Sequence, residues 1–388
     1  MQRLIVLRDR AGNWERPSVT LQAIAAPKWP GAPADPWIEV VDYDPGTMAD
    51  LTSDPTLLFA TPLIRTRLIG PEPLDDLSLN GSAPDWGVRQ VGAMDSGFTG
   101  AGARVALLDT GIDTAHPAFE GVSLTTRDFV GTGIEDANGH GTHLAGTILG
   151  RDVDGTRIGV APGTPRLIVA KALTDGGQGT SDAFLDALIW AAQTGAEIIG
   201  FAAKFDVLAE TAALIAGGLP ESLAHGVAMT AYRGNLRMVE TILLMLGQPP
   251  LVLAAVGNDC LRTFSEREIA GPSAPAAARG VLAVGALTMG EDGLKPTPFS
   301  NAGPALAAPG AAITSACAGG GLRALNGTSM AMAHAVGVAA LWSEALRRQD
   351  RPVTAQQLAA SLVSHATLSG MDPRATPFDH GKGLVQAP

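Results

Sequence analysis

Five short apolar runs constrain the fold of this chain more than any other feature. Val105–Leu108, Leu167–Ala170, Glu197–Ala203, Leu251–Val256 and Val281–Leu287 are separated by longer segments, and His143–Leu149 and Phe184–Thr194 among these carry apolar residues at helical spacing. A strand wetted on one face alternates apolar and polar residues, whereas these runs, the leading Glu197 apart, are apolar throughout. Short, doubly buried strands alternating with helices make a mostly parallel sheet covered on both sides, so the expected class is α/β.

The first 85 residues read differently. Strand-like runs at Arg3–Leu7, Trp37–Val41, Leu57–Ala60 and Leu63–Leu68 alternate with proline-rich connections, and a short helix is expected over Thr47–Ser53, stopped by Asp54-Pro55. Gly70–Pro84, rich in Pro, Asp and Ser, reads as a linker. The expectation is a small domain over residues 1–80 and a large one over residues 81–388. Within the large one, residues 205–250 are expected to hold two helices, near Leu208–Ala216 and Glu221–Leu246. Met229, Leu236, Ile242 and Leu243 would share one face of the second. A sheet-covering crossover accounts for that helix; the length before it is available to shape a cleft.

Composition excludes some functions. Lys and Arg number 27 against 38 Asp and Glu, a net charge of −11 that disfavours nucleic acid as a partner. No apolar run approaches the ~18 residues of a membrane helix. Near the N-terminus Leu4–Leu7 meets Arg8-Asp9-Arg10, too short a core for a secretion signal, so a cytoplasmic location without membrane contact is expected. Two cysteines, Cys260 and Cys317, are too few for a disulfide scaffold and are read as thiols, with a single bridge between them left open.

Four glycine-flanked segments carry chemistry. In Leu108-Asp109-Thr110-Gly111 a carboxylate ends an apolar strand, where open α/β sheets meet ligands; a turn-starting Asp is the plain alternative. In Asn138-Gly139-His140-Gly141-Thr142-His143 small neighbours leave His140 accessible at the start of a helix. The Glu of a zinc-binding His-Glu-x-x-His helix is missing, so no metal site is assigned and His143 is read as a packed core residue. In Ala255-Val256-Gly257-Asn258 an amide sits at a strand end. In Asn326-Gly327-Thr328-Ser329-Met330-Ala331 a Ser opens an apolar helix, whose N-terminal amides suit an oxyanion; an N-cap Ser is the plain alternative.

Their order, Asp109, His140, Asn258, Ser329, resembles that of the subtilisin-like serine peptidases. The resemblance runs from Trp86 to the C-terminus and includes Gly159-Val160-Ala161-Pro162, Phe299-Ser300-Asn301, Ala308-Pro309-Gly310 and Gly381-Lys382-Gly383-Leu384-Val385. It implies a three-layer α/β sandwich and a serine endopeptidase acting on peptides or proteins. Ser329 would be the nucleophile, His140 the base and Asp109 its orienter, with Asn258 and the Ser329 N–H binding the oxyanion. One cleft wall would be Gly177, Gln178 and Gly179, the other Ala202, Ala203 and Lys204, with Gly257 beside Asn258. Residues 1–80 resemble the family's propeptide, a small α/β module that aids folding and plugs the cleft, so the chain's own N-terminus is an expected partner and any cleavage falls within Ile69–Trp86.

The pattern departs from the family at Ala202-Ala203-Lys204, where Ser-Leu-Gly is usual. A Lys204 turned inward would favour acidic side chains; one turned to solvent, the less costly choice for a long chain, would only alter the strand edge. Such departures suggest narrow, processing-type specificity. No cofactor is required. A structural calcium ion, common in the family, would use Asp152 and Asp154, though Arg151 and Arg157 beside them equally suit a salt-bridged loop. Two rival functions share the fold: a peptide ligase or macrocyclase, and a catalytically silent peptide-binding homologue.

Overall fold

The computed structural model describes residues 3–12, 34–42, 51, 54, 56–73, 83–262 and 269–388. The helix expected over Thr47–Ser53, Leu51 apart, and most of the expected linker lie outside these residues. The elements run β1 (Arg3–Asp9), β2 (Pro36–Asp42), β3 (Leu57–Pro62), β4 (Arg65–Leu68), α1 (Trp86–Gln90), β5 (Arg104–Asp109), β6 (Ser123–Asp128), α2 (His140–Leu149), β7 (Arg166–Lys171), β8 (Gln178–Thr180), α3 (Ser181–Gln193), β9 (Ile198–Phe201) and β10 (Ala203–Phe205). They continue α4 (Val207–Ala216), α5 (Glu221–Met245), β11 (Leu251–Ala255), β12 (Val281–Gly290), β13 (Gly293–Pro296), β14 (Leu306–Pro309), β15 (Ile313–Ala316), β16 (Leu322–Leu325), α6 (Thr328–Arg348), α7 (Ala355–His365) and α8 (Pro377–His380).

The central sheet has the order β13-β12-β11-β9-β5-β7-β6, with β14 also on β12, and every pairing except β12 with β13 is parallel. Successive residues of one strand feed opposite layers, as the two-residue period of a strand demands. Val105 and Leu107 join a core with α2, α6 and α7, while Ala106 and Leu108 join a second core with α3 and α5. This is the α/β sandwich that the apolar runs imply. Ile5, Leu7 and Ile38 of the N-terminal strands belong to that second core.

Those strands form a separate antiparallel sheet, β2-β1-β3. β1 is buried on both faces: Ile5 and Leu7 meet the helices, while Leu4 and Val6 meet Leu51 and Leu57. The contact between α5 and β3 is close enough to need a glycine, since a Cβ on Gly234 would lie 1.9 Å from Thr61 Oγ1. The long run Leu63–Leu68 is not one strand; only Arg65–Leu68 is extended, as β4, and it leaves this sheet altogether. The face expected for α5 also needs correction. Ile242 and Leu243 are buried as expected, but Met229 and Leu236 are only half-buried, and the buried line runs back through Met238, Asn235, Ala231, Ala228 and Ala224. Small residues let the helix approach two partners at once, which a search for large apolar residues does not find.

Two histidines are locked inside the first core. His143 donates from Nε2 to the Ile313 carbonyl at 3.0 Å, and His334 from Nδ1 to the Met330 carbonyl at 2.8 Å. Burial holds His143 down to about 3, helped by the charges of His140 and Arg323, and burial holds His334 down to about 4. Both rings are neutral in the folded chain and take up protons near pH 6.5 when it unfolds. The unfolded state therefore gains protons as pH falls below 6.5, and stability is lost, each ring contributing up to about 1.4 kcal/mol per pH unit. Urea midpoints should fall from pH 6.5 to pH 5, less steeply than two rings alone would give because Asp186, pushed up to about 6 by burial, takes its proton in the folded chain over the same range, and His334→Gln should flatten that slope.

Candidate active site

β5 delivers Asp109 to the carboxyl edge of the sheet, fully buried. Its Oδ1 accepts from the Thr110 N–H at 2.8 Å and from His140 Nδ1 at 2.8 Å. His140 is the first residue of α2, at the helix start where the sequence placed it, though its ring is buried and not accessible. Binding Nδ1 to a buried carboxylate leaves Nε2 as the free face of the ring, and Nε2 has no partner among the described residues.

The start of α2 is held by Asp136, a buried carboxylate that sequence reasoning missed. Its Oδ1 accepts from Thr110 Oγ1 and the Gly139 N–H, both at 2.8 Å, and its Oδ2 from the Thr142 N–H at 2.8 Å and Thr142 Oγ1 at 2.7 Å. One side chain thus ties the loop after β5 to the helix that carries His140. The only sequence signal was an Asp shortly before a Gly-rich helix start, a pattern too common to single out.

Ser329 lies in the first turn of α6, with Gly327 rather than the Ser at the N-cap. Asn258 follows β11, and its Oδ1 accepts from the Thr328 N–H at 3.0 Å and from Thr328 Oγ1 at 2.7 Å. Two donors fix the amide, so its Nδ2 points into the cleft beside Ser329. Gly257 supports this loop, donating to Thr328 Oγ1 at 3.3 Å.

A segment of the N-terminal region lies across these groups. β4 is the middle strand of a three-stranded antiparallel sheet, between β8 and β10. Arg67 faces Gln178 on one side and Lys204 on the other; Thr66 faces Gly179, and Leu68 faces Ala203. The Leu68 N–H donates to the Gly177 carbonyl and the Ile69 N–H to the Ala202 carbonyl, both at 2.8 Å. The residues named for both cleft walls therefore meet one peptide strand. Gly179 must be small here, because a Cβ would lie 2.5 Å from the Ala172 carbonyl oxygen and 2.8 Å from Thr66 Oγ1. Next, Ser329 Oγ donates to the Ile69 carbonyl at 2.8 Å and Asn258 Nδ2 to the Gly70 carbonyl at 2.9 Å. The Glu72 N–H then donates to the Asn326 carbonyl, and Asn326 Nδ2 to the Pro73 carbonyl at 2.7 Å.

Residues 100–383 match the family model described as the subtilase family, Peptidase_S8. The chain belongs to the subtilase family. A subtilisin-like protease of Coccidioides posadasii is 33% identical over 311 residues, 77% of this chain and 67% of that protein. Subtilisin-like protease 1 of Arthroderma otae is 28% identical, with 77% and 55% covered, and a thermophilic serine proteinase of a Bacillus species (strain AK1) is 32% identical, with 62% and 52% covered. The matched stretch thus spans about half to two thirds of these relatives' length.

Lys204 lies partly open to solvent. Its ammonium pairs with Asp259. Burial opposes ionisation of Asp259, but hydrogen bonds from Lys204, Asn301 and Ser273 hold its carboxyl below the usual range. Glu72 nearby is pushed up, by burial first and then by the Asp259 charge. The loop read as a calcium candidate is held differently. Arg151 donates to the Leu149 carbonyl at 3.0 Å and Arg157 to the Gly159 carbonyl at 2.6 Å. Among the described residues no group of three His, Cys, Asp or Glu is placed to hold a metal, and no helix is long and apolar enough to cross a membrane. Cys260 and Cys317 are unbridged.

Asp136→Ala should lower the melting temperature and weaken activity together, since it strands two buried N–H groups at about 1–3 kcal/mol each. Thermal unfolding of the variant, read beside its reaction with a fluorophosphonate, checks this.

Proposed function

We propose that this subtilase is a serine endopeptidase of narrow, processing-type specificity, kept in check by its own N-terminal region. The observation that carries this reading is a peptide strand seated between the two walls with a carbonyl on Ser329 Oγ, beside the buried Asp109–His140 pair. Asp109 fixes the imidazole with its proton on Nδ1, so Nε2 is the base that removes the Ser329 proton. The hydroxyl attacks the scissile carbonyl, and Asn258 Nδ2 with the Ser329 N–H receives the developing oxyanion. His140 then protonates the leaving amine, and water releases the acyl group by the same route. The imidazolium is never left uncompensated, because the Asp109 carboxylate is its partner throughout. No cofactor enters.

The seated segment suits an inhibitor better than a substrate in mid-reaction. The Ser329 proton is given to the Ile69 carbonyl instead of His140, and Asn258 holds the next carbonyl, that of Gly70. Nucleophile and oxyanion donor thus address different peptide units. The bond nearest the hydroxyl, Ile69–Gly70, falls at the start of the interval in which cleavage is expected.

The intact mass of the purified chain tests this. Wild type should lose the mass of residues 1–69, and Ser329→Ala should stay whole and fail to react with a fluorophosphonate. Asn258→Ala should retain the label site but lose about 10²–10³ in kcat, the size established for removal of one such donor in subtilisin. A wild-type chain that stays whole and unlabelled is a silent binder, and cleaved peptides whose products carry no added water point to ligation. Equal cutting of many unrelated peptides would sink the narrow-specificity reading.

A further inference from the structure

The geometry points to an acidic subsite, built by α4 at the far end of the cleft, that selects peptides with basic residues two and four positions before the residue in the place of Ile69. This rests on the endopeptidase reading above and names its substrate class.

Helix α4 continues one cleft wall. It follows β10 directly, and the Asp206 N–H donates to the Arg65 carbonyl at 2.8 Å, extending the wall's pairing with β4 beyond the strand itself. None of its residues is fully buried, although Val207 packs against the second core and the helix lies along α5. What it presents to the cleft is charge. Glu210 Oε2 accepts from Arg65 Nη1 at 2.7 Å and from the Arg65 N–H at 3.3 Å. Asp206 Oδ2 lies 3.9 Å from Arg67 Nη1.

Burial shows which partner is built in. The Glu210 and Asp206 side chains are 13% and 12% exposed, whereas those of Arg65 and Arg67 are 48% and 66% exposed. The carboxylates belong to the framework, and Asp206 Oδ1 is further fixed as the cap of α4, accepting from the Ala209 N–H at 2.9 Å. The guanidiniums reach in from a strand that any extended peptide could replace. Arg65 and Arg67 stand on one side of β4, as residues two apart must, while Thr66 and Leu68 are buried on the other. Lys204, directly across from Arg67, would repel a cation, but its charge is taken by Asp259. Arg65 at a carboxylate touching both its side chain and backbone should count for more than Arg67 at 3.9 Å.

The test uses quenched fluorogenic peptides with the sequence of residues 63–72, carrying Arg, Gln or Glu at the two positions. With the full-length chain after self-processing and release of the freed fragment, Gln for Arg65 should lower kcat/KM about 10-fold and Gln for Arg67 about 3-fold, mainly through KM. Glu210→Gln should erase the first preference and Asp206→Asn, which keeps the cap, the second. A second arm needs no catalysis: in the full-length Ser329→Ala chain, Glu210→Arg should speed amide exchange across residues 65–69, and adding Arg65→Glu should restore protection. Equal cleavage whatever the charge at both positions, or exchange indifferent to Glu210→Arg, overturns the subsite. If no peptide is cut while exchange still follows the charge swap, the subsite stands and the peptidase reading falls.

Discussion

A fully buried carboxylate has to be compensated, and in this molecule that requirement organises the reaction centre. Asp109 stands at 0% exposure and His140 at 1%, joined by one hydrogen bond. An isolated buried charge is costly, and removal of one partner strands the other, so the two side chains must be placed together. The Thr110 amide, the four donors on Asp136 and the start of α2 all serve that placement. Because β5 is central and α2 packs against it, the pair inherits the rigidity of the sheet and does not depend on a loop.

The cleft obeys a different constraint. Its walls, β8 and β10, are edge strands three residues long, each with backbone groups open on one side. A peptide strand satisfies both edges at once, which is how β4 is bound. Main-chain pairing of this kind is indifferent to sequence, so discrimination must come from side chains and from what lies beyond the two walls. The Asn326-Gly327-Thr328 sequence illustrates the economy of the site. It resembles a glycosylation sequon, yet the Asn326 amide is spent on the Pro73 carbonyl and its oxygen on the Ala312 N–H.

The parallel sheet was legible in the sequence from its apolar runs, the four residues now gathered at one edge of it from glycine-flanked motifs, and the two strands that flank β4 only through the resemblance to the subtilases. What was not legible depends on distant partners. Asp136 carries no distinctive neighbours. The route of β4 away from Leu63-Ile64 and into the cleft is set by pairing with residues more than 100 positions later. The contacts of α4 could not be read either, since they fall on Arg65 and Arg67. The orientation of Lys204 was decided by Asp259, 55 residues further on.

The doubly buried strand β1 has a consequence for timing. Ile5 and Leu7 are part of the same core as α3 and α5, so a break in the chain after Ile69 removes none of the buried area that holds the first strands in place. On the reading proposed above, cutting and departure are separate events with separate clocks. The first would be a single turnover at Ser329. The second is a dissociation governed by apolar surface, slow at rest and quickened by anything that unfolds or digests the freed fragment. A cleaved yet silent two-piece complex would be the intermediate between them.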